Sequence, residues 1–154
     1  MATAHLIFGF IGSGKTTLAK QLEREFAAVR FTPDDWMTRL FGEDPPAAIF
    51  QEKAAVISDL MEPIWTRCLS VGVDVVLDFG FWRRGERDRA RELAVGAGAS
   101  ACIYALACSD QEAWRRIEAR NNALQGSLYI APATFKRLRD RVEPLGDDEP
   151  FVRR

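Results

Sequence analysis

An α/β fold built on a parallel sheet is what this sequence predicts, and three observations carry the prediction. Short apolar runs rich in β-branched and aromatic residues alternate with longer stretches of helical apolar spacing, the signature of strand and crossover helix. The first run ends in a glycine-rich turn, GFIGSGKT at residues 9–16, which opens directly into a helical pattern. A later run, GVDVVLD at residues 72–78, reads as a buried strand that closes on a carboxylate. With 154 residues, 47% of them apolar, the chain is expected to form one domain with a full-sized core and no room for a second.

Taken in order, strands are expected over residues 4–9, 28–32, 73–78 and 101–107, with a fifth near Phe151. The helix after the glycine turn carries Leu18, Leu22 and Phe26 on one face. Further helices are expected over 35–42, 47–71 with a break at Pro63, 84–97, 110–123 and 132–142. Gly72 supplies a stop for the third helix, Ser109 and Glu112 form a capping box, and Pro132 suits a first turn. Residues 126–131, between the last two helices, read as a moving flap, and a small lid is expected over about 115–131.

Composition removes several classes of function. A net charge of −1 gives no global pull toward nucleic acid or an anionic membrane, so a polyanion site has to be local. Three cysteines, Cys68, Cys102 and Cys108, form no CxxC pair and suggest a reduced chain in which they serve as core residues. The one histidine, His5, stands at a strand start, which excludes histidine triads and histidine-rich zinc sites. The longest uncharged run, Leu93 to Ser109, contains glycines and reads as helix end, loop and strand rather than a membrane span. The start lacks a basic stretch followed by an apolar block, so a cytoplasmic protein is expected.

The chemistry begins with the glycine turn, which fits GxxxxGK[ST] with Gly9, Gly14, Lys15 and Thr16 in the fixed places. A triphosphate is held by converging backbone N–H groups, and glycine lets the backbone approach and turn tightly enough to supply them. Gly12, Ser13 and Thr17 complete the phosphate-binding set. Lys15 is expected to neutralise the β- and γ-phosphates, Thr16 to hold Mg²⁺, and Asp78 to hold the same ion directly or through water. ATP and Mg²⁺ are therefore the expected cofactors. No GxGxxG is present, which removes a dinucleotide site. Phe79 follows Asp78 where mechanical ATPases carry a water-activating glutamate, and no NKxD-like motif reads guanine. Both absences point from water toward a substrate hydroxyl as acceptor.

An acceptor hydroxyl needs a carboxylate within hydrogen-bond reach, and FTPDDWMTRLFG at residues 31–42 offers one just after the second strand. Asp34 is the candidate base and Asp35 its alternative, with helix capping by Thr32 or Asp34 the competing role. Arg39 is placed to pair with an anionic acceptor, or is a solvated helix charge. Arg116 and Arg120 share a helix face in WRRIEARNN, residues 114–122, where a closing cation would stabilise the transferring phosphoryl group, unless they pair with Glu112 and Glu118. Arg120 is the first choice. Arg83, just beyond Asp78, is a candidate for the acceptor side, as are Trp36 and Trp82, which would clamp a ring-bearing acceptor or simply pack. Trp65 and Trp114 are expected in the core.

The segments GSGKTT, PDDW, VVLDFGFW and RRIEARN, in this order, resemble the small P-loop kinases of the AAA-domain group related to bacteriophage polynucleotide kinase, zeta toxin and chloramphenicol phosphotransferase. The resemblance implies a three-layer α/β/α architecture, nucleoside-kinase-like, with a five-stranded sheet ordered 2-3-1-4-5. It also implies a general base at Asp34 and lid arginines near Arg116 and Arg120. The polynucleotide kinase carries an arginine three residues after its base, whereas Met37 stands at that position here. The expected activity is transfer of the ATP γ-phosphate to a hydroxyl of a small molecule or nucleotide, by a monomer or weak dimer. A polynucleotide 5′-hydroxyl kinase and an ATP-binding switch protein are the alternatives, and neither nucleic acid nor membrane is the favoured partner.

Overall fold

The structure, a computed structural model, describes residues 1–123 and 127–154. Among the described residues, five strands and six helices follow one another, first β1 (Thr3–Phe8), α1 (Lys15–Glu25), β2 (Val29–Phe31), α2 (Pro33–Phe41), α3 (Ala47–Ser70) and β3 (Val75–Gly80). Then come α4 (Arg84–Gly96), β4 (Ser100–Ala105), α5 (Asp110–Ala123), α6 (Pro132–Arg139) and β5 (Phe151–Arg153). The strands lie in the order β2-β3-β1-β4-β5 and every pairing is parallel. The expected sheet is thus the observed one, with the strand before the glycine turn at its centre.

Burial on both faces explains the near-continuous apolar strands. On one face Leu6, Phe31, Leu77 and Ile103 meet a stripe of Ile57, Met61, Trp65 and Leu69 from α3, with Ala90 and Ala94 from α4. On the other, Ile7, Val76 and Tyr104 pack against Leu18, Ala19 and Leu22 of α1. His5 belongs to this second face: its ring stacks on Phe26 and lies 3.2 Å from the Tyr104 hydroxyl and 3.1 Å from Asp74, the structural role its position suggested.

Element boundaries shift by up to three residues from expectation, and two departures have a clear physical cause. The break at Pro63 is absent, and α3 continues through it for 24 residues. Pro63 lies on the exposed side, so the carbonyl that loses its partner faces water, while Met61 and Trp65 hold the helix to the sheet on either side. The strand that was expected to end at Asp78 runs on to Gly80, because β1 pairs with it as far as Phe8↔Gly80. The capping box is half made: the Ser109 hydroxyl accepts the Glu112 amide at 3.2 Å, but the Glu112 carboxylate is held by Arg116. The three cysteines are free and half-buried. Among the described residues no helix is long and apolar enough to cross a membrane. The expected flap and lid include residues 124–126, which lie outside the described residues.

Candidate active site

Parallel strands all direct their carboxyl ends to one edge of the sheet, and there the glycine turn, Thr32 and Asp78 come together. The turn depends on backbone that side chains resist. Gly12 has φ 76° and Gly14 φ 96°, and a Cβ on Gly12 would sit 2.5 Å from the carbonyl oxygen of Ala113. Gly14 caps α1, whose first amides have no intrahelical partner and face the loop. The Ser13 hydroxyl donates to the Phe10 carbonyl at 2.6 Å, which fixes the loop from within. Thr17 is exposed on the first turn of α1.

Lys15 donates to the same Phe10 carbonyl at 3.0 Å. Burial pulls its ammonium below the ordinary lysine value, while Asp78 and Asp34 pull the other way. A lysine held so is a cation that protein screens little from a neighbouring anion. Asp78 receives two hydroxyl protons on Oδ2, from Thr16 at 2.9 Å and from Thr32 at 3.2 Å, and burial pushes its carboxyl up. Thr16 and Asp78 form a pair of hard oxygen donors of the kind that holds Mg²⁺ alongside phosphate oxygens. Among the described residues no group of three or more acidic, histidine or cysteine side chains could hold a metal alone, so a bound ion would take its remaining ligands from water and phosphate.

Thr32 was a candidate helix cap, but its hydroxyl goes to Asp78 instead, and the α2 N-terminus carries no side-chain cap. Behind Thr32, Arg30 reaches Thr32, Asp35 at 3.2 Å and Glu23 at 3.1 Å. Asp35 is therefore tied to the sheet, and Asp34 is the carboxylate left facing the cleft. Asp34 is an exposed residue whose carboxylate sits against the protein at the cleft; partial loss of water there raises its carboxyl above the usual range, with Lys15 opposing and Asp78 adding to the rise.

Asp34 stands on the wall of a cavity of about 490 Å³ lined chiefly from α2, α3, the end of β3 and α4. Trp82 and Arg83 are also on that wall, whereas Asp35, Trp36 and Arg39 are not. Trp82 has a second attachment that the sequence did not reveal. Gly80 at φ 85° and Phe81 at φ 49° turn the chain back, and the indole N–H donates 2.8 Å to the Gly9 carbonyl. Trp65 forms part of the cavity floor at 3% exposure.

On the other side of the glycine turn, Arg116 donates to the Gly12 carbonyl at 3.2 Å and pairs with Glu112. Arg120 makes no hydrogen bond or ion pair among the described residues, yet its charge is felt by both Lys15 and Asp34. Trp114 meets Phe135 edge-on and Phe135 meets Phe10, so α5, α6 and the glycine turn share one aromatic contact. The residues that sequence reasoning missed are Arg30, Thr32 in its role at Asp78, and the Arg87–Glu149 pair. Arg87 is fully buried and donates to Glu149 at 2.8 and 2.9 Å and to the carbonyls of Phe81, Trp82, Glu143 and Pro144. It binds the C-terminal segment to the turn that carries Trp82.

Over residues 5–145 the sequence matches the AAA domain family. The chain belongs to that family. No curated protein is significantly similar to this AAA domain in sequence. Among solved structures, it is similar to a protein from Chloroflexus aurantiacus j-10-fl, with TM-score 0.79 and 19% identity over 99% of this chain and 86% of the other. Kti12 of Chaetomium thermophilum, solved with ADP-AlF3, gives TM-score 0.74 and 18% identity over 97% and 87%. A gluconokinase from Sinorhizobium meliloti 1021 gives TM-score 0.67 and 17% identity over 98% and 81%. At these identities the likeness is one of fold, and the fold is that of the P-loop kinases.

Proposed function

We propose that this AAA domain is an ATP-dependent phosphotransferase that moves the γ-phosphate to a hydroxyl of a small molecule. The observation that carries the reading is Asp34: a carboxylate at the junction of the phosphate-loop lysine and a ligand-sized cavity, free of any helix-capping duty. The glycine turn and Lys15 hold the triphosphate, with Gly9, Gly12, Ser13, Gly14, Thr16 and Thr17 around it. Thr16 and Asp78 would hold Mg²⁺, which would neutralise phosphate charge. Asp34 takes the proton of the acceptor hydroxyl as its oxygen bonds to the γ-phosphorus, the bond from that phosphorus to the β–γ bridging oxygen breaks, and ADP leaves. A raised carboxyl suits this task, since a stronger base accepts the proton more readily. Arg120 covers the developing charge and Arg116 steadies the loop.

The experiment is transfer of label from [γ-³²P]ATP to a panel of hydroxyl compounds, with Asp34→Asn as control. Asp34→Asn is expected to keep ATP affinity within about threefold and to lower transfer by about 10²-fold or more. Full transfer by that variant would remove Asp34 as the base. ATP binding with no labelled product, and hydrolysis stimulated only by a protein partner, would favour a nucleotide-dependent switch.

A further inference from the structure

The cavity behind Asp34 has a chemical character of its own. Its deep wall is made by Met37, Trp65, Leu77 and Phe81, none more than 4% exposed. Phe79 lies parallel to Phe81 with ring centroids 5.6 Å apart, so the strand end presents a stacked aromatic pair. Apart from Asp34, charge is confined to the rim and its signs are mixed: Asp59, Glu62 and Glu86 stand among Arg83, Arg89 and Arg141. Arg89 is committed to Glu62 at 2.7 Å.

These features sort acceptors by chemistry. A polyol or sugar acid seated on that floor would surrender its water and find few partners for its hydroxyls. A nucleic-acid strand needs a continuous cationic track, and a cavity whose four carboxylates outnumber its three guanidiniums does not supply one. A ring, by contrast, gains from apolar burial and from stacking against aromatic edges and faces. The volume of about 490 Å³ falls within the range of small-molecule sites.

We propose that the acceptor is a small molecule whose hydroxyl is carried on an apolar, ring-bearing body, with the ring against Trp65, Phe79 and Phe81 and the hydroxyl at Asp34. The placement of the hydroxyl rests on the kinase reading, while the placement of the ring follows from the cavity wall alone.

Calorimetric titration of the protein with 3-phenoxypropane-1,2-diol and with glycerol compares one diol head with and without a ring; D-gluconate and a 5′-hydroxyl trinucleotide complete the set. The phenoxy diol is expected to bind at least tenfold more tightly than the other three. Ala54→Phe, which fills the cavity from α3, is expected to abolish that preference, with ATP affinity reporting that the protein is folded; Leu93→Trp serves if Ala54→Phe does not bind ATP. Ring-selective binding without transfer to any hydroxyl supports the cavity assignment and sinks the kinase reading. Transfer to gluconate, glycerol or the trinucleotide with no preference for the phenoxy diol keeps the kinase reading and overturns the ring. Equal binding of ring and ring-free ligands overturns it as well.

Discussion

Thr16 on α1 and Thr32 at the end of β2 donate their hydroxyl protons to the same oxygen, Oδ2 of Asp78, at 2.9 and 3.2 Å. The two donors hold a buried carboxylate ready for a cation, against the burial that pushes it toward neutrality. Asp78→Asn is expected to weaken ATP binding at least tenfold when Mg²⁺ is present and to leave Mg²⁺-free nucleotide binding nearly unchanged. Titration calorimetry with and without Mg²⁺ decides this, and equal losses in both would take the ion away from Asp78.

The two arginines of α5 differ in their attachments, and their variants should differ in kind. Arg116 is already bound to Gly12 and Glu112, so Arg116→Ala is expected to raise the KM for ATP severalfold. Arg120 is unattached among the described residues and near Lys15 and Asp34 in electrostatic reach, so Arg120→Ala is expected to lower kcat about 10²-fold with little change in KM. Steady-state kinetics of both variants test the division, and the reverse pattern would exchange their roles.

Glu149 carries a pH dependence whose sign is fixed by its partners. Its hydrogen bonds with Arg87 hold the carboxyl at about 2, below the ordinary glutamate value of 4.5. The folded protein therefore binds that proton less readily than the unfolded chain, and the associated stability, at most ~3 kcal/mol, is present above about pH 4.5 and drains away as pH falls toward 2. Asp78, buried and raised by that burial, acts in the opposite sense and gains stability as pH falls. Urea unfolding from pH 6 down to pH 3 is expected to lose stability in the wild type; Glu149→Gln, less stable at pH 6, should show a flatter curve. Parallel curves would mean that the pair is not the acid-sensitive element.

Ala27 stands at φ 49°, just past the end of α1, where the Ala28 amide turns back to the Glu23 carbonyl at 3.0 Å. This is the helix-ending geometry that glycine adopts without a Cβ penalty. Ala27→Gly is expected to stabilise the protein by about 0.5–1 kcal/mol, less any greater freedom of the unfolded chain. Thermal unfolding reads this directly, and a drop in Tm would count against strain at that residue.

The fold was largely legible because its signals are local: the glycine turn between an apolar run and a helical pattern places β1 and α1, and GVDVVLD places β3. The strand order came from the resemblance, since pairing in a parallel sheet leaves no trace in any one segment. Lys15, Thr16 and Asp78 were findable because their spacing is fixed by the phosphate they serve. Thr32 was misread because a threonine before a proline-initiated helix looks like a cap, and only the adjacent strand brings Asp78 to its hydroxyl. Arg87 and Glu149 were invisible for a related reason. In RGERDRARE and GDDEP they sit among exposed charges, and their burial depends on a contact between positions 62 apart in the chain.

The bond from the Trp82 indole to the Gly9 carbonyl also gives the protein an optical gauge. An indole whose N–H is hydrogen-bonded to the phosphate loop changes its emission when that bond lengthens or breaks. Replacing the other three tryptophans, Trp36, Trp65 and Trp114, with phenylalanine would leave one fluorophore wired to the loop. Its spectrum could then follow nucleotide arrival and departure in real time, without a label and without waiting for product.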